Sequence, residues 1–340
     1  MFELLAMICI EGLCKERLLP ASTPQTQAEC EADAGRAEDW AAARGGASVQ
    51  STRCAALEEL VAGAINVAEI APGAFVHEGL VAETVPANRG DVSNNGFIIG
   101  ANSVAVIDTG YTRALAEALY LAVRAETNKP ISHLILTHMH PDHAMGGDVF
   151  LEAGAEAVGA PKFQRAYETR LAGYIDAQVR LIGAEASHGT YGLLTARVTE
   201  GEVIDIGERP LTLQVHPTAH TTNDLTIFDK TAATLWMGDL TFLHHTPALD
   251  GSITGWIDLL EHLNADKARQ IVPGHGPAVA AYPDGTKPTL DYLTALASAM
   301  RGHISRGESL QFALKDEGKA MKGEWELFEH FHRRNATFWR

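Results

Sequence analysis

The amino-acid sequence predicts an α/β protein in which two sheets lie face to face between two layers of helices, with a small cysteine-containing helical cap at the N-terminus. Two observations carry this prediction. Strand-like runs dominate both halves of the chain, and each strand-rich half is closed by segments with helical periodicity. Helices and sheets both bury an apolar face, so these segments favour a four-layer arrangement of α, β, β and α. All four cysteines lie within the first 54 residues, which sets that region apart.

The N-terminal region, residues 1–62, is expected to form the cap, and residues 63–340 the main domain. Turn signals at residues 19–22 and 45–46 indicate short helices between them. An even number of clustered cysteines favours two disulfides in an oxidising compartment, with three possible pairings. The cysteines concerned are Cys9, Cys14, Cys30 and Cys54.

Reduced, buried thiols are the alternative for these cysteines, because no convincing signal peptide precedes them. The apolar run at residues 4–10 is short and follows Glu3, whereas a signal peptide begins with basic residues. The same run is too short to span a bilayer. A periplasmic location follows from the disulfide interpretation, and a cytoplasmic one from the alternative.

In the first half of the main domain, strand and helix signals alternate. Short β-type runs near residues 75–76, 96–100 and 103–108 are separated by Gly and Asn turns, as in a meander. Apolar residues at helical spacing then predict a helix over 111–127, and a strand follows at 131–137. Later strands are predicted near 155–159, 203–206, 211–216, 225–228, 234–236 and 270–272, and helices near 162–182, 256–263 and 290–301.

Composition excludes several classes of function. Of 340 residues, 46% are hydrophobic and 21% charged, which is typical of a folded globular protein. The formal net charge is -16, from 43 acidic and 27 basic residues, and no basic stripe interrupts it. Such a chain repels a phosphate backbone, so nucleic acid is not expected as a partner, and a membrane span is not expected either.

The stretch THMHPDH, residues 137–143, is the strongest functional signal in the chain. His138 and His140 stand two residues apart at the end of a strand, where their side chains share one side. Pro141 then forces a turn, after which Asp142 and His143 point elsewhere and can serve a second ion. Imidazole and carboxylate ligands suit Zn2+ first, and tolerate Fe2+ or Mn2+. The alternative is a polar loop whose histidines cap strands or lie in solvent.

The spacing H-x-H-x-D-H in this stretch resembles the signature of the metallo-β-lactamase superfamily. Further matches follow in the order of that family's pattern. Asp108 ends an early strand, His220 stands in a short H-T motif, Asp239 follows a strand, and His275 lies in a P-G-H-G turn. His216 competes with His220, but lies at the end of its strand and is expected to be a buried structural imidazole.

The resemblance implies a binuclear centre. One metal would be held by His138, His140 and His220, and the other by Asp142, His143 and His275. Asp239 would be shared between the two metals, and Asp108 would hold a ligand histidine without binding a metal itself. Two such cations, zinc in the first instance, would lower the pKa of a bridging water and hold hydroxide for attack on an ester, thioester or amide-like carbonyl of a small molecule. Asp142 would also act in catalysis by orienting the nucleophile and passing a proton.

The resemblance also indicates which subgroup of the superfamily the chain is most similar to. True β-lactamases of this fold carry Cys or Ser where Asp239 stands, so the carboxylate favours thioesterase-like hydrolases over β-lactam hydrolysis. Nearly the whole chain resembles the quinoprotein relay system zinc metallohydrolases, which implies an association with a periplasmic quinoprotein dehydrogenase. His244 and His245 follow the Asp239 strand and are candidates for substrate contact. The alternatives are a persulfide dioxygenase with one iron, and a non-catalytic accessory protein for a quinone cofactor or its dehydrogenase.

Overall fold

The computed structural model describes residues 1–23, 25–265, 267–316 and 325–337. Its first elements form the cap: β1 (Phe2–Ile10), β2 (Leu13–Leu19), α1 (Gln27–Ala32), α2 (Arg36–Ala42) and β3 (Ala47–Ala56). The three strands make an antiparallel sheet in the order β2-β1-β3, and both helices contact β3.

The short helices of the cap are confirmed, and a sheet that the sequence interpretation did not include lies beside them. Strand β1 contains the apolar run at residues 4–10, in which both faces are largely buried. A short run that is apolar on both faces has no period of two, so periodicity alone cannot identify it as a strand. We retain residues 1–62 and 63–340 as the proposed division of the chain.

Two disulfides tie the cap together, as the clustering of the cysteines indicated. Cys9–Cys14 joins the paired ends of β1 and β2, and Cys30–Cys54 joins α1 to β3. Cys30 is completely buried in the small core of the cap. Together the two bonds are one of the three pairings that the sequence left open.

The first sheet of the main domain has seven strands, in the order β10-β9-β8-β7-β6-β5-β4. Helices and strands alternate along this part of the chain as predicted. The elements are α3 (Leu57–Leu60), β4 (Ala68–Ala71), β5 (Ala74–His77), β6 (Asn95–Ile99), β7 (Val104–Ile107), α4 (Arg113–Glu126), β8 (Ile131–Ile135), α5 (Pro141–Ala144), α6 (Asp148–Glu152), β9 (Glu156–Gly159), α7 (Phe163–Ser187) and β10 (Arg197–Val198).

The second sheet has six strands, in the order β11-β12-β13-β14-β15-β16. Helices α8 to α11 belong to this half of the chain. The elements are β11 (Val203–Asp205), β12 (Pro210–Val215), β13 (Leu225–Asp229), β14 (Thr234–Phe242), α8 (Ile253–His262), β15 (Gln270–His275), β16 (Ala280–Ala281), α9 (Lys287–Ser305), α10 (Leu310–Asp316) and α11 (Phe328–Thr337).

The core confirms the α, β, β, α layering. Side chains such as Ile107 and Ile135 of the first sheet share one buried hydrophobic cluster with Ile227 and Trp236 of the second. The outer face of the first sheet packs against α4, α6 and α7, and that of the second against α8, α9 and α11. No helix in the described ranges is both long and apolar enough to cross a bilayer.

Candidate metal centre

The loop after β8 carries the histidine-rich stretch into the interior. Strand pairing of β8 ends at Ile135, and helix α5 begins at Pro141, where the missing N–H of proline leaves no helical hydrogen bond unmade. His138 and His140 therefore precede a sharp turn, and Asp142 and His143 lie within the following helix. This local geometry separates the four side chains into two pairs.

The structure brings the first pair together with two residues from the second sheet. The ligand atoms of His138, His140, His220 and Asp239 all lie within 4.8 Å of one another. His140 Nδ1 is 3.0 Å from His220 Nε2, and His220 Nε2 is 3.3 Å from Asp239 Oδ2. Four nitrogen and oxygen donors at such separations match the ligand set of a tetrahedral zinc site.

The second pair meets His275, from the end of β15. Ligand atoms of Asp142, His143 and His275 also lie within 4.8 Å of one another. The other oxygen of Asp239, Oδ1, is 3.1 Å from His143 Nε2 and 3.4 Å from His275 Nε2. Asp239 thus faces both groups, one oxygen to each.

Each of the five imidazoles is held by the nitrogen that points away from the centre. His143 Nδ1 donates to Asp108 at 2.8 Å, and His140 Nε2 donates to Asp250 at 3.1 Å. The remaining three donate through Nδ1 to Thr137 Oγ1 (His138), to the Ala248 carbonyl (His220) and to the Val92 carbonyl (His275). A donated hydrogen bond fixes the tautomer, so the nitrogen that faces the centre keeps its lone pair for a cation.

Three atoms at the centre have no hydrogen-bond partner among the described residues, although they are buried. They are His138 Nε2, His143 Nε2 and Asp239 Oδ1. Unpartnered buried polar atoms are costly and rare, so three together indicate a missing ligand. The donor set and these atoms fit a divalent cation in each group.

The carboxylates dominate the electrostatics of the second group. Burial lowers the pKa of His275, but Asp239 and Asp142 outweigh it and raise the pKa to about 9. Burial raises the pKa of Asp142, whereas His143 and His275 hold it well below its ordinary value. The point between these imidazoles and carboxylates therefore attracts positive charge, either a proton or a divalent cation.

In the first group, burial acts on His138 and His220 more strongly than the carboxylate of Asp239 does. It lowers the pKa of His220 to about 3, against the opposing charge of Asp239, and lowers that of His138 as well. These rings are consequently neutral at physiological pH. Neutral imidazole is the form that binds metal.

Asp108 holds the loop by hydrogen bonds to Thr137 and His143. Its Oδ2 accepts from His143 Nδ1 at 2.8 Å and from Thr137 Oγ1 at 2.7 Å, while Oδ1 accepts from the Thr137 amide at 2.9 Å. The residue has φ 56°, a left-handed conformation that aspartate tolerates better than most side chains. One buried carboxylate therefore orients both the loop backbone and one of the candidate ligands.

The other histidines singled out from the sequence lie in different places. His216 is outside both groups, and its Nε2 is hydrogen-bonded to Thr226 Oγ1 at 2.7 Å. His245 lines the cavity over the centre, with its ring 4.7 Å from that of His275 and its Nδ1 donating to the Thr246 carbonyl. His244 instead lines a separate surface pocket with Tyr292 and Trp325.

A cavity of about 590 Å3 opens over the two groups, a size typical of small-molecule sites. Its floor contains His140, Asp142, Asp239 and His275. Its walls come from the loop between β5 and β6, from one face of α7, from the segment after β14 and from α11.

Sequence reasoning missed Asp250 and the residues of α7 in this cavity. Asp250 lies 110 positions from His140, which it contacts, and belongs to no recognisable motif. Helix α7 did offer a signal. Residues 170, 174, 177 and 181 repeat at helical spacing, and two of them are polar.

Comparison with known proteins agrees with this architecture. A family model described as the metallo-beta-lactamase superfamily matches residues 88–275. A metallo-beta-lactamase from Pontibacter korlensis has 19% identity, with a TM-score of 0.54 over 68% of this chain and 99% of its own. One from Hirschia baltica has 19% identity and a TM-score of 0.53 over 68% and 98%. A double mutant of the sec-alkyl sulfatase PisA1 has 19% identity and a TM-score of 0.58 over 75% of this chain and 45% of its own.

Proposed function

The chain belongs to the metallo-beta-lactamase superfamily, and on this premise we propose that it is a hydrolase that works with two zinc ions. The observation that carries the proposal is that the two oxygens of Asp239 face two different groups of donor atoms. Each group contains a buried atom that has no hydrogen-bond partner among the described residues. A mononuclear site needs no carboxylate with one oxygen in each of two groups. Fe2+ or Mn2+ could replace zinc with the same donors.

His138, His140 and His220 would hold one ion, and Asp142, His143 and His275 the other, with Asp239 between them. When bound, such cations polarise a carbonyl and bring the pKa of water near neutrality, so that no nucleophilic side chain is required. The substrate class we propose is a small molecule with an ester, thioester or amide-like carbonyl. A carboxylate at position 239, where true β-lactamases of this fold carry Cys or Ser, favours thioesters.

The residues of the chain supply the remaining functions. Asp142 stays ionised because His143 and His275 hold its pKa low, so one of its oxygens can accept a proton from the nucleophile. Burial lowers the pKa of His245 to about 3, so its ring is neutral and, with Nδ1 engaged, offers only Nε2 to a substrate. His275 and Phe242 stack with their ring centroids 5.0 Å apart, so an aromatic ring covers one face of the His275 imidazole.

We further propose a periplasmic setting and an association with a quinoprotein dehydrogenase. The two disulfides support an oxidising compartment, since such bonds rarely persist in the cytosol. The association itself rests on the sequence resemblance of nearly the whole chain to the quinoprotein relay system metallohydrolases.

Metal analysis combined with a hydrolysis panel tests the proposal. Protein purified without added metal is analysed for zinc, iron and manganese, and is then assayed with nitrocefin, aryl esters and acyl thioesters. We expect about two zinc ions per chain, following the two ligand groups, and turnover of a thioester or ester. One iron per chain with oxygen uptake would contradict the hydrolase proposal in favour of a dioxygenase, and metal without any turnover would favour an accessory protein.

Two histidine variants separate ligation from folding. His220→Ala removes a proposed ligand, whereas His216→Gln changes a buried histidine four positions earlier that lies outside both groups. We expect His220→Ala to lose metal and at least about a hundredfold in kcat/KM, more than typical effects of residues behind a metal ligand. His216→Gln should keep its metal. Equal metal content in the two variants would contradict the assignment.

A further inference from the structure

Helix α7 presents one face, partly polar, to the cavity. Arg170, Tyr174, Ala177 and Leu181 all line it, at intervals of four, three and four residues that place them on one side of a helix. Arg180 also lines the cavity, beside this row. The metal ligands form the floor, so this face of α7 is the wall that a bound substrate would touch.

Arg170 lies one contact away from the candidate metal ligands. Its Nη2 is 3.6 Å from Asp250 Oδ2, and the same oxygen accepts from His140 Nε2 at 3.1 Å. The Arg170 side chain remains 40% exposed, so Asp250 occupies only part of its guanidinium. Five N–H donors in a planar fork allow it to bind a second carboxylate at the same time.

Tyr174 offers a second donor at this wall. Its hydroxyl is buried and makes no hydrogen bond to any residue in the described ranges. Burial raises the pKa of this hydroxyl. The charges of Arg170 and Arg334 act to lower that pKa, and those of Asp250 and Asp142 act to raise it, so the hydroxyl lies among these four charges. A buried hydroxyl without an acceptor indicates that a ligand supplies one.

Positive charge also lines the cavity at two other places. Arg334 lies on α11, and Arg180 is exposed near Tyr111. Outside the two ligand groups the acidic lining residues are Glu83, 3.5 Å from His330 Nδ1, and Asp250, which already contacts His140 and Arg170. On a chain of net charge -16, three arginines facing one cavity concentrate anions where the rest of the surface repels them.

Apolar side chains complete the lining. Val92, Leu181, Phe242 and Phe331 all border the same cavity. A ligand that satisfied only the arginines would leave this surface exposed, so the volume of about 590 Å3 suits a molecule with an anionic end and an apolar or aromatic body.

We propose that the substrate is an organic anion, most simply a carboxylate on an apolar body, which Arg170, Tyr174 and Arg334 bind at the α7 wall while its reacting carbonyl lies over the metal ligands. Arg180, at the other end of this wall, adds to the positive electrostatic potential in the cavity. The proposal rests on the proposed hydrolase function for the reacting end, and specifies which member of the thioester or ester class is accepted.

A matched pair of thioesters tests the proposal on the metal-loaded full chain. S-benzoyl-3-mercaptopropionate and S-benzoyl-3-mercaptopropionamide differ only in a carboxylate against a neutral amide. We expect the wild-type protein to prefer the carboxylate in kcat/KM, chiefly through KM. Tyr174→Phe and Arg170→Gln should each reduce that preference by about tenfold, the loss of one hydrogen bond to a charged group.

Arg165→Gln is the matched control. It removes one positive charge from an exposed position on the same helix that does not line the cavity, and its preference ratio should equal that of the wild type. Two results would overturn the proposal: equal kcat/KM for both thioesters in the wild type, or a carboxylate preference that Tyr174→Phe and Arg170→Gln leave intact, which would mean that the metals bind the carboxylate.

Binding measurements keep the two proposals apart. If neither thioester is hydrolysed, the hydrolase function is decided by the ester and nitrocefin assays, and calorimetry with 4-phenylbutyrate and 4-phenylbutyramide on the same samples still tests the α7 wall. Tighter binding of 4-phenylbutyrate by the wild type than by Tyr174→Phe supports the wall without the reaction. Equal binding of the acid and the amide by the wild type overturns it. Tyr174→Phe keeps the ring in place, so this variant retains the packing of α7 even if Arg170→Gln fails to fold.

Discussion

Two histidines four positions apart show how geometry decides the role of one residue type. His220 donates through Nδ1 to the Ala248 carbonyl and turns Nε2 toward His140 and Asp239. His216 directly follows strand β12, is buried, and its Nε2 is hydrogen-bonded to Thr226 Oγ1. Both imidazoles are neutral because burial lowers their pKa values, to about 3 and about 4 respectively. Only the partners distinguish a candidate ligand from a structural side chain.

The depressed pKa of His216 predicts a loss of stability in acid. Its pKa is about 4 in the folded chain and about 6.5 when unfolded, so the unfolded state binds the extra proton. The stabilisation is complete above pH 6.5 and is lost as the pH falls toward 4, by up to roughly 3 kcal/mol. We expect His216→Gln to lose less unfolding free energy than the wild type between pH 7 and pH 4, measured by urea unfolding of the metal-free proteins. Parallel losses would show that His216 does not titrate on unfolding.

At the level of elements, the site depends on how closely strands β14 and β15 approach. Gly274, in β15, lies directly against Asp239 of β14, and a Cβ at Gly274 would overlap Asp239 Oδ1. That oxygen is the one that faces His143 and His275. The P-G-H-G motif, most of which lies in β15, therefore needs its first glycine so that the carboxylate of Asp239 can face both ligand groups.

Gly274→Ala tests this close approach. We expect it to reduce the metal content well below that of the wild type and to lower the free energy of unfolding by about 1–3 kcal/mol, as overpacked cores do. Gly173→Ala is the control, since a Cβ there meets nothing within 4 Å on helix α7. That control should keep its metal and gain up to about 1 kcal/mol from helix propensity. Full metal content in Gly274→Ala would mean that Asp239 can move aside without leaving the centre.

Elements were predictable from the sequence where the signal is local. The strands before Asp108 and His138, and helix α4 between them, follow from short apolar periodicity, and the candidate ligands within residues 138–143 lie close together in the sequence. The proposed ligands His220, Asp239 and His275 came from the order of family motifs, and whether they bind metal stays a prediction. Asp250 acts through a contact with a distant segment, which periodicity cannot detect. For α7, the spacing of residues 170–181 indicates one face of a helix but not the cavity that this face borders. The cap sheet was missed because β1 is buried on both faces.

At the scale of the whole molecule, the cap supports the loop that carries the candidate metal ligands through buried charges. Arg113 of α4 is completely buried and contacts Asp148 at 3.2 Å and Glu152 at 2.7 Å, both on α6, which follows the loop. Arg44 of the cap contacts the same two carboxylates at 3.2 and 2.9 Å. Removing one partner from such a network leaves a buried charge unpaired, so cap and loop depend on each other.

The two disulfides should therefore contribute unequally to the stability of the whole chain. Cys30–Cys54 closes a loop with a sequence separation of 24, against 5 for Cys9–Cys14, and the longer loop loses more entropy in the unfolded state. We expect the double variant Cys30→Ala and Cys54→Ala to lose about 3 kcal/mol of unfolding free energy, and Cys9→Ala with Cys14→Ala about 2 kcal/mol, measured by urea unfolding. Since Arg44 couples the cap to α6, metal release should follow the same transition as the loss of structure. Metal retained after the cap has unfolded would instead show that residues 63–340 hold the centre alone.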